Sequence, residues 1–298
     1  MKITLTENQL IHLLCEDGSI SQIVLECSKL IANKLIETYD NEEPIHTSEV
    51  NVSYYNKEIN SFVSSQAKTK DYVVNMQNLT LNTIPTIKTA YLTVVETCDI
   101  NVLEANYESF NIGGEARINS GSIFITVPSI NGELKTNMLN EYVIHECEHF
   151  FQFMLGATNK NKKIYQIALQ YLNSDNFILK CIANLIYFFD PRECDSKIHE
   201  LYLDLKVAHG SFNECAQIKE RDLCLKECFF PLLDMEKEIV SSILENIFQI
   251  SYEKFFEYIK SQIHYFNKKA IRVYNKFTQD GKINEVKIMR RNKGFLIR

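Results

Sequence analysis

From Ser19 to about Tyr39 the apolar residues Ile20, Ile23, Val24, Cys27, Leu30, Ile31 and Leu35 recur at steps of three and four, the spacing that lines one face of a helix. A shorter helix is expected ahead of it. Thr6-Glu7-Asn8-Gln9 has the form of a capping box, and Leu10, Ile11, Leu13 and Leu14 supply an apolar face behind it. Between about Val50 and Pro128 the texture changes to short β-branched and aromatic runs, Tyr72-Val73-Val74, Ala90 to Val95 and Ser122 to Val127, which read as strands. Turn-forming spacers at Asn111 to Gly114, Asn119 to Gly121 and Ser129 to Gly132 divide them, so a small antiparallel or mixed sheet is expected. Residues 137 to about 278 are nearly all helical in pattern. Strands followed by helices, rather than alternating with them, predict an α+β fold whose second half is mainly helical.

Composition narrows the class. The chain has 298 residues, 45% hydrophobic and 23% charged, with 9 Gly and 5 Pro, so it is too apolar for a disordered protein and too poor in Gly and Pro for a fibrous one. A net charge of −6 argues against a non-specific nucleic-acid binder, and no nucleic-acid partner is expected. The end is locally basic, with Lys282, Lys287, Arg290, Arg291, Lys293 and Arg298 against Glu285, and reads as a solvated tail. The 9 cysteines are odd in number and lack framework spacing, and an acid at Glu7 precedes any apolar stretch of signal-peptide length. A reducing, cytoplasmic setting is therefore expected, with no membrane span. Phosphate-cradling loops, dinucleotide fingerprints and Gly-x-Ser-x-Gly elbows are missing, so nucleotide and serine-hydrolase chemistry find no support.

One segment carries chemistry. In His145-Glu146-Cys147-Glu148-His149 the histidines are four apart, so on a helix they present two imidazole nitrogens to one point, with Glu146 about 100° around the axis. Neutral imidazole is a good zinc ligand, zinc acidifies its water, and a neighbouring carboxylate can take that proton and pass it to a leaving amine. Leu139, Val143, Ile144, Cys147, Phe150, Phe151 and Met154 give the segment a broad apolar surface, while Glu141, His145, Glu148, His149 and Gln152 gather on the other side. Cys147 is expected in the core.

With those residues in place, the sequence resembles the zincin metallopeptidases, which carry this pentapeptide on an active-site helix behind a small twisted sheet. The metzincin branch extends the motif to Gly and His, where this chain has Gln152 and Leu155. The gluzincin branch instead takes a Glu from a later helix, and Asp190-Pro191-Arg192-Glu193-Cys194-Asp195-Ser196-Lys197 is similar to that segment in small bacterial and phage-borne members. The resemblance covers about residues 90 to 206. It implies His145, His149 and Glu193 as ligands of a zinc ion, Glu146 as general base and acid, and hydrolysis of a peptide or protein substrate by Glu-activated, metal-bound water. Taken with the pattern along the chain, N-terminal helices are expected over 1–45, a zincin-like catalytic domain over 46–210 and a helical C-terminal part with the basic tail over 211–298.

Two departures stand out: Glu148 is charged where the family usually has an uncharged residue, and Lys197 stands where thermolysin-like members carry a supporting Asp four residues after the ligand Glu. Asp190, Asp195 and Asp204 are candidates to orient a histidine through its far nitrogen. Glu193 has a second reading as the capping-box partner of Asp190, and Glu200, on the same helical face, is the reserve ligand. Candidate oxyanion stabilisers are Tyr165, Tyr171, His199, Tyr202 and His209. Ser122 to Val127 is either a sheet-edge strand that pairs with substrate or an ordinary buried strand. Gly113-Gly114 is a turn or a place for close backbone approach. Cys224 and Cys228 read as two partly buried cysteines. The alternatives to a general peptidase are an inactive zincin-fold structural or virion-associated protein, in keeping with a Lys-, Asn- and Ile-rich composition that resembles phage and low-GC genes, and a peptidase that cleaves one partner protein.

Overall fold

A computed structural model describes residues 22–56, 60–76, 87–97, 102, 109–154 and 162–281. The expected Thr6 helix and the basic tail lie outside these residues. Contacts divide the chain into two compact units, Ser21–Thr158 and one made chiefly of Asn159–Arg298.

The first unit begins with helix α1 (Gln22–Asn41), whose Val24, Ile31 and Leu35 are fully buried, as their spacing predicts. Strands β1 (His46–Asn56), β2 (Ser61–Asn75), β3 (Thr89–Thr97), β4 (Gly113–Arg117), β5 (Ser122–Ile130) and β6 (Glu133–Leu134) follow, and helix α2 (Thr136–Met154) closes the unit. The sheet order is β1-β2-β3-β5-β4, with β6 on the end of β5. It is mixed: β3 and β5 run parallel, with Leu92 opposite Ile125, and the other pairs are antiparallel. Both helices pack on each other and on the sheet, α1 against β2 and β3, α2 against β4 and β5.

Strand β1 has no counterpart among the expected runs, for a physical reason. In β1 the buried positions are Val52 and Tyr54 and the residues between them are exposed, so its apolar density is too low to stand out. The spacer at Asn111 to Gly114 is also not simply a turn, since Gly113 and Gly114 open β4. Ser122 to Val127 is an interior stretch, paired with β3 on one side and β4 on the other, so the edge falls to β4. Asn131 and Gly132, at φ 54° and 80°, form the tight turn into β6 with the positive φ pair that an Asn-Gly hairpin requires.

The second unit is helical throughout its described residues: α3 (Lys162–Leu169), α4 (Phe177–Phe188), α5 (Pro191–Val207), a 3₁₀ turn (Phe212–Glu214), α6 (Ala216–Cys224), a π turn (Leu225–Phe229), α7 (Phe230–Asp234), α8 (Lys237–Ile243), a second π turn (Leu244–Phe248) and α9 (Tyr252–Gly281). Phe189, Phe229, Phe248, Phe255 and Phe266 are fully buried and form its core, and α9 packs along α5. Among the described residues no helix is long and apolar enough to cross a membrane.

Candidate metal centre

Helix α2 carries the pentapeptide. Its apolar face, Leu139, Val143, Ile144, Cys147 and Phe150, is wholly buried, which fixes the helix's rotation and turns His145 and His149 away from the core. The two Nε2 atoms lie 3.0 Å apart, with the rings edge to face at 81°. That is close to the spacing of two nitrogens bonded to one ion at about 2.1 Å each.

The opposite flank of α2 is not the solvated surface its polarity suggests, because Glu146, Glu148 and Gln152 are all buried. Gln152 lies between His149 and Glu148: its Oε1 is 3.3 Å from His149 Nδ1, and its Nε2 donates to Glu148 Oε1 at 3.3 Å. A carboxylate only accepts, so the amide NH₂ must face Glu148 and the amide oxygen must face His149. Nδ1 of His149 then carries the proton, and Nε2 offers its lone pair. The departure at Glu148 thus has a use, since it sets the amide that sets the imidazole.

Glu146 packs against the edge strand. A Cβ built on Gly114 would stand 2.6 Å from Glu146 Oε1 and 2.7 Å from its Cγ, so only glycine lets the carboxylate occupy that place. Of the two readings of Gly113-Gly114, close backbone approach is the one realised, at Gly114.

Glu193 sits in the first turn of α5. Asp190 caps that helix by accepting from Arg192 N at 3.0 Å, and Pro191 follows at the first helical position. Asp190 also ion-pairs with Arg192 Nε at 3.0 Å, and the guanidinium lies over the Tyr165 ring at 4.7 Å. Tyr165 Oη donates to Glu193 Oε1 at 2.8 Å. Burial, with the neighbouring Glu193 charge, pushes the Tyr165 hydroxyl well above its ordinary range, so it remains a donor. Both capping and ligand roles are therefore open to this helix start at once: Asp190 supplies the cap and leaves the Glu193 carboxylate for other work.

His145 and His149 bring two imidazole nitrogens together on the first unit, and the second carries the Glu193 carboxylate. Two imidazole nitrogens and one carboxylate oxygen are a donor set that suits zinc. The residues fit the ion.

The reserve ligand is used elsewhere, since Glu200 accepts a very short hydrogen bond from Gln217 Nε2. Asp204 accepts from Gln217 N at 3.0 Å, and Asp195 holds Tyr265 and Lys269 at 2.8 and 2.6 Å. Lys197 reaches Glu220 at 2.9 Å. Of the five oxyanion candidates, Tyr165 touches Glu193, while His199 Nδ1 donates to Asp195 O at 2.9 Å and Tyr171 and Tyr202 pack edge-on against Phe248 and Phe277. His209 is exposed in the left-handed region after α5. Gln152 is the residue to which sequence reasoning gave no role. Gln152 is three residues beyond His149, so helical spacing alone could have found it. No protein-family model, no curated protein and no solved structure matches the chain.

Proposed function

We propose that the chain is a zinc-dependent metallopeptidase of the gluzincin type, with His145, His149 and Glu193 holding the ion and Glu146 as general base and acid. The observation that carries the reading is the pair of imidazole nitrogens 3.0 Å apart on α2, with the buried Glu146 carboxylate on the same helix. When bound, the ion supplies a Lewis acid that polarises the scissile carbonyl and acidifies water. The rest belongs to the chain. Gln152 orients His149 as a neutral donor, and Tyr165 holds one oxygen of Glu193. Glu146 takes a proton from water and returns it to the departing amine, a role worth about 10²- to 10⁴-fold in rate. Strand β4 pairs only with β5 among the described strands, so its outer edge can take an extended peptide main chain to main chain. Gly114 lies on that strand against Glu146, so a peptide on this edge would pass close to the base.

The test is metal content and cleavage of a peptide library by the purified chain. One zinc per chain is expected, lost in His145→Ala. Glu146→Gln should keep the zinc and lose turnover by about 10²-fold or more. A chain without stoichiometric zinc would favour the inactive structural alternative, and unchanged turnover in Glu146→Gln would refute the role of that carboxylate. Cleavage of one partner protein but no library peptide would point to the single-substrate peptidase.

A further inference from the structure

The helical unit holds a partly enclosed cavity of about 200 Å³ that the peptidase reading does not use. Aliphatic wall comes from Ile164 of α3, Ile186 of α4 and Ile250, which follows the second π turn. Three rings complete it: Tyr165 of α3, and Phe255 and Tyr258 of α9. Among the described residues the one charged side chain on the wall is Asp190, which is buried and engaged by the α5 start and by Arg192.

The wall is built by specific bonds. The second π turn ends at Gln249, whose φ of 56° and ψ of 38° are left-handed, an uncommon place for a residue with a side chain. Gln249 N–H and Ile250 N–H both reach back to Leu244 O, the second at 3.2 Å, and Lys163 Nζ of α3 donates to Gln249 Oε1 at 2.9 Å. Ile250 is thereby held where the turn meets α3. Tyr165 is fixed as well, stacked on Tyr187 at 5.9 Å and 26° with the Arg192 guanidinium over its ring. The walls are therefore set before any ligand arrives, as in most small-molecule sites. A π turn and a strained left-handed residue are backbone features that cluster at such sites.

We infer that this cavity is a binding site for a small neutral aromatic molecule of about the size of indole, separate from the candidate metal ligands. An apolar cavity of about 150 Å³ holds one benzene ring, so the space here admits a slightly larger ring system. Three aromatic side chains in the wall favour an aromatic guest, which they can meet edge to face. Charge is selected against in both signs. The Asp190 carboxylate repels an anion, while Arg192 and the positive N-terminal end of α5 beside it oppose a cation. Tyr165 serves two neighbours with different atoms: its hydroxyl donates to Glu193, which leaves the ring as cavity wall.

The test is titration of the full chain with indole, without added metal, read by NMR of the isoleucine methyl groups. The Ile164, Ile186 and Ile250 methyls should shift together and saturate, with a Kd of about 1 mM or below. Benzoate, an anion of similar size, should bind at least about tenfold more weakly. Ile250→Trp fills the cavity with a ring of its own and should weaken indole binding at least about tenfold. If that variant fails to fold by circular dichroism, Ile164→Phe, at a half-buried position, blocks the same space. Tyr165→Phe keeps the ring and should bind indole as the parent does. The proposal is overturned by the absence of saturable shifts, by benzoate binding as tightly as indole, or by binding that the filling variant leaves undiminished. No metal enters the measurement, so its failure and the failure of the peptidase reading are separate results.

Discussion

The two helices that carry the candidate ligands reach the same end by different means. Helix α2 arranges its donors within a single turn: the backbone spacing brings Nε2 of His145 and His149 to 3.0 Å, and Gln152, one turn on, orients His149 from the same helix. Helix α5 supplies one donor from its first turn, where Asp190 and Pro191 set the helix start and Tyr165, from α3, supports Glu193 from outside. The first arrangement is local and follows from helical geometry; the second needs a partner 28 positions away in sequence. The proposed ligand set draws on both kinds, so zinc binding should respond differently when each support is removed.

Removing the local support should do the most. Gln152→Ala takes away the acceptor that holds His149 Nδ1–H and leaves buried Glu148 without its amide donor, so zinc affinity should fall about 10- to 100-fold, as measured by competition with a chelator. Tyr165→Phe removes one hydrogen bond to Glu193 and leaves the α5 start intact, so the loss should be smaller, about tenfold or less. The reverse order would mean that positioning Glu193, rather than orienting the imidazole, limits binding.

Gly114→Ala sharpens the contrast from the side of the base. The added methyl would overlap Glu146 Oε1 and Cγ, and because the obstacle is a side chain, Glu146 rather than strand β4 should yield. Turnover should drop about tenfold or more with zinc affinity unchanged, since neither histidine is touched. Loss of zinc together with turnover would show that the methyl disturbs α2 as a whole. At the start of α5, Asp190→Ala removes both the cap and the partner of Arg192, and should cost about 1 kcal/mol of stability in denaturant unfolding.

How much of this was legible follows the same division. Helix α2, its buried face and the convergence of its two histidines were readable because their causes lie within nineteen residues. The start of α5 was readable too, since Asp-Pro with an acid three residues on is a local signal. The core strands β3 and β5 declared themselves by continuous apolar runs. Strand β1 did not, because its polar residues alternate with buried ones, and β4 was hidden by the paired glycines at its start. The hydrogen bonds of Glu148 and Gln152 were not legible for a different reason. Polar residues on a helix flank read as solvated unless their burial is known, and burial is a property of the fold rather than of the helix.

Asp204 tests the smallest effect, and its sign runs opposite to that of a salt-bridged carboxylate. Burial raises its pKa above the ordinary value, only partly offset by the hydrogen bond from Gln217 N, so the folded state holds the proton more tightly than the unfolded chain does. Between the unfolded and the raised folded value the native state binds more protons, and stability falls as pH rises through that window. Below it both states are protonated and the penalty vanishes; above it the penalty is constant. Asp204→Asn keeps an oxygen to accept from Gln217 N and removes the charge. The variant should match the unaltered chain at strongly acid pH and exceed it at neutral pH. Thermal melts of both proteins across the acid range would read the difference, and a variant that loses stability as pH rises, relative to the parent, would mean that Asp204 is held as a favourable anion by its neighbours.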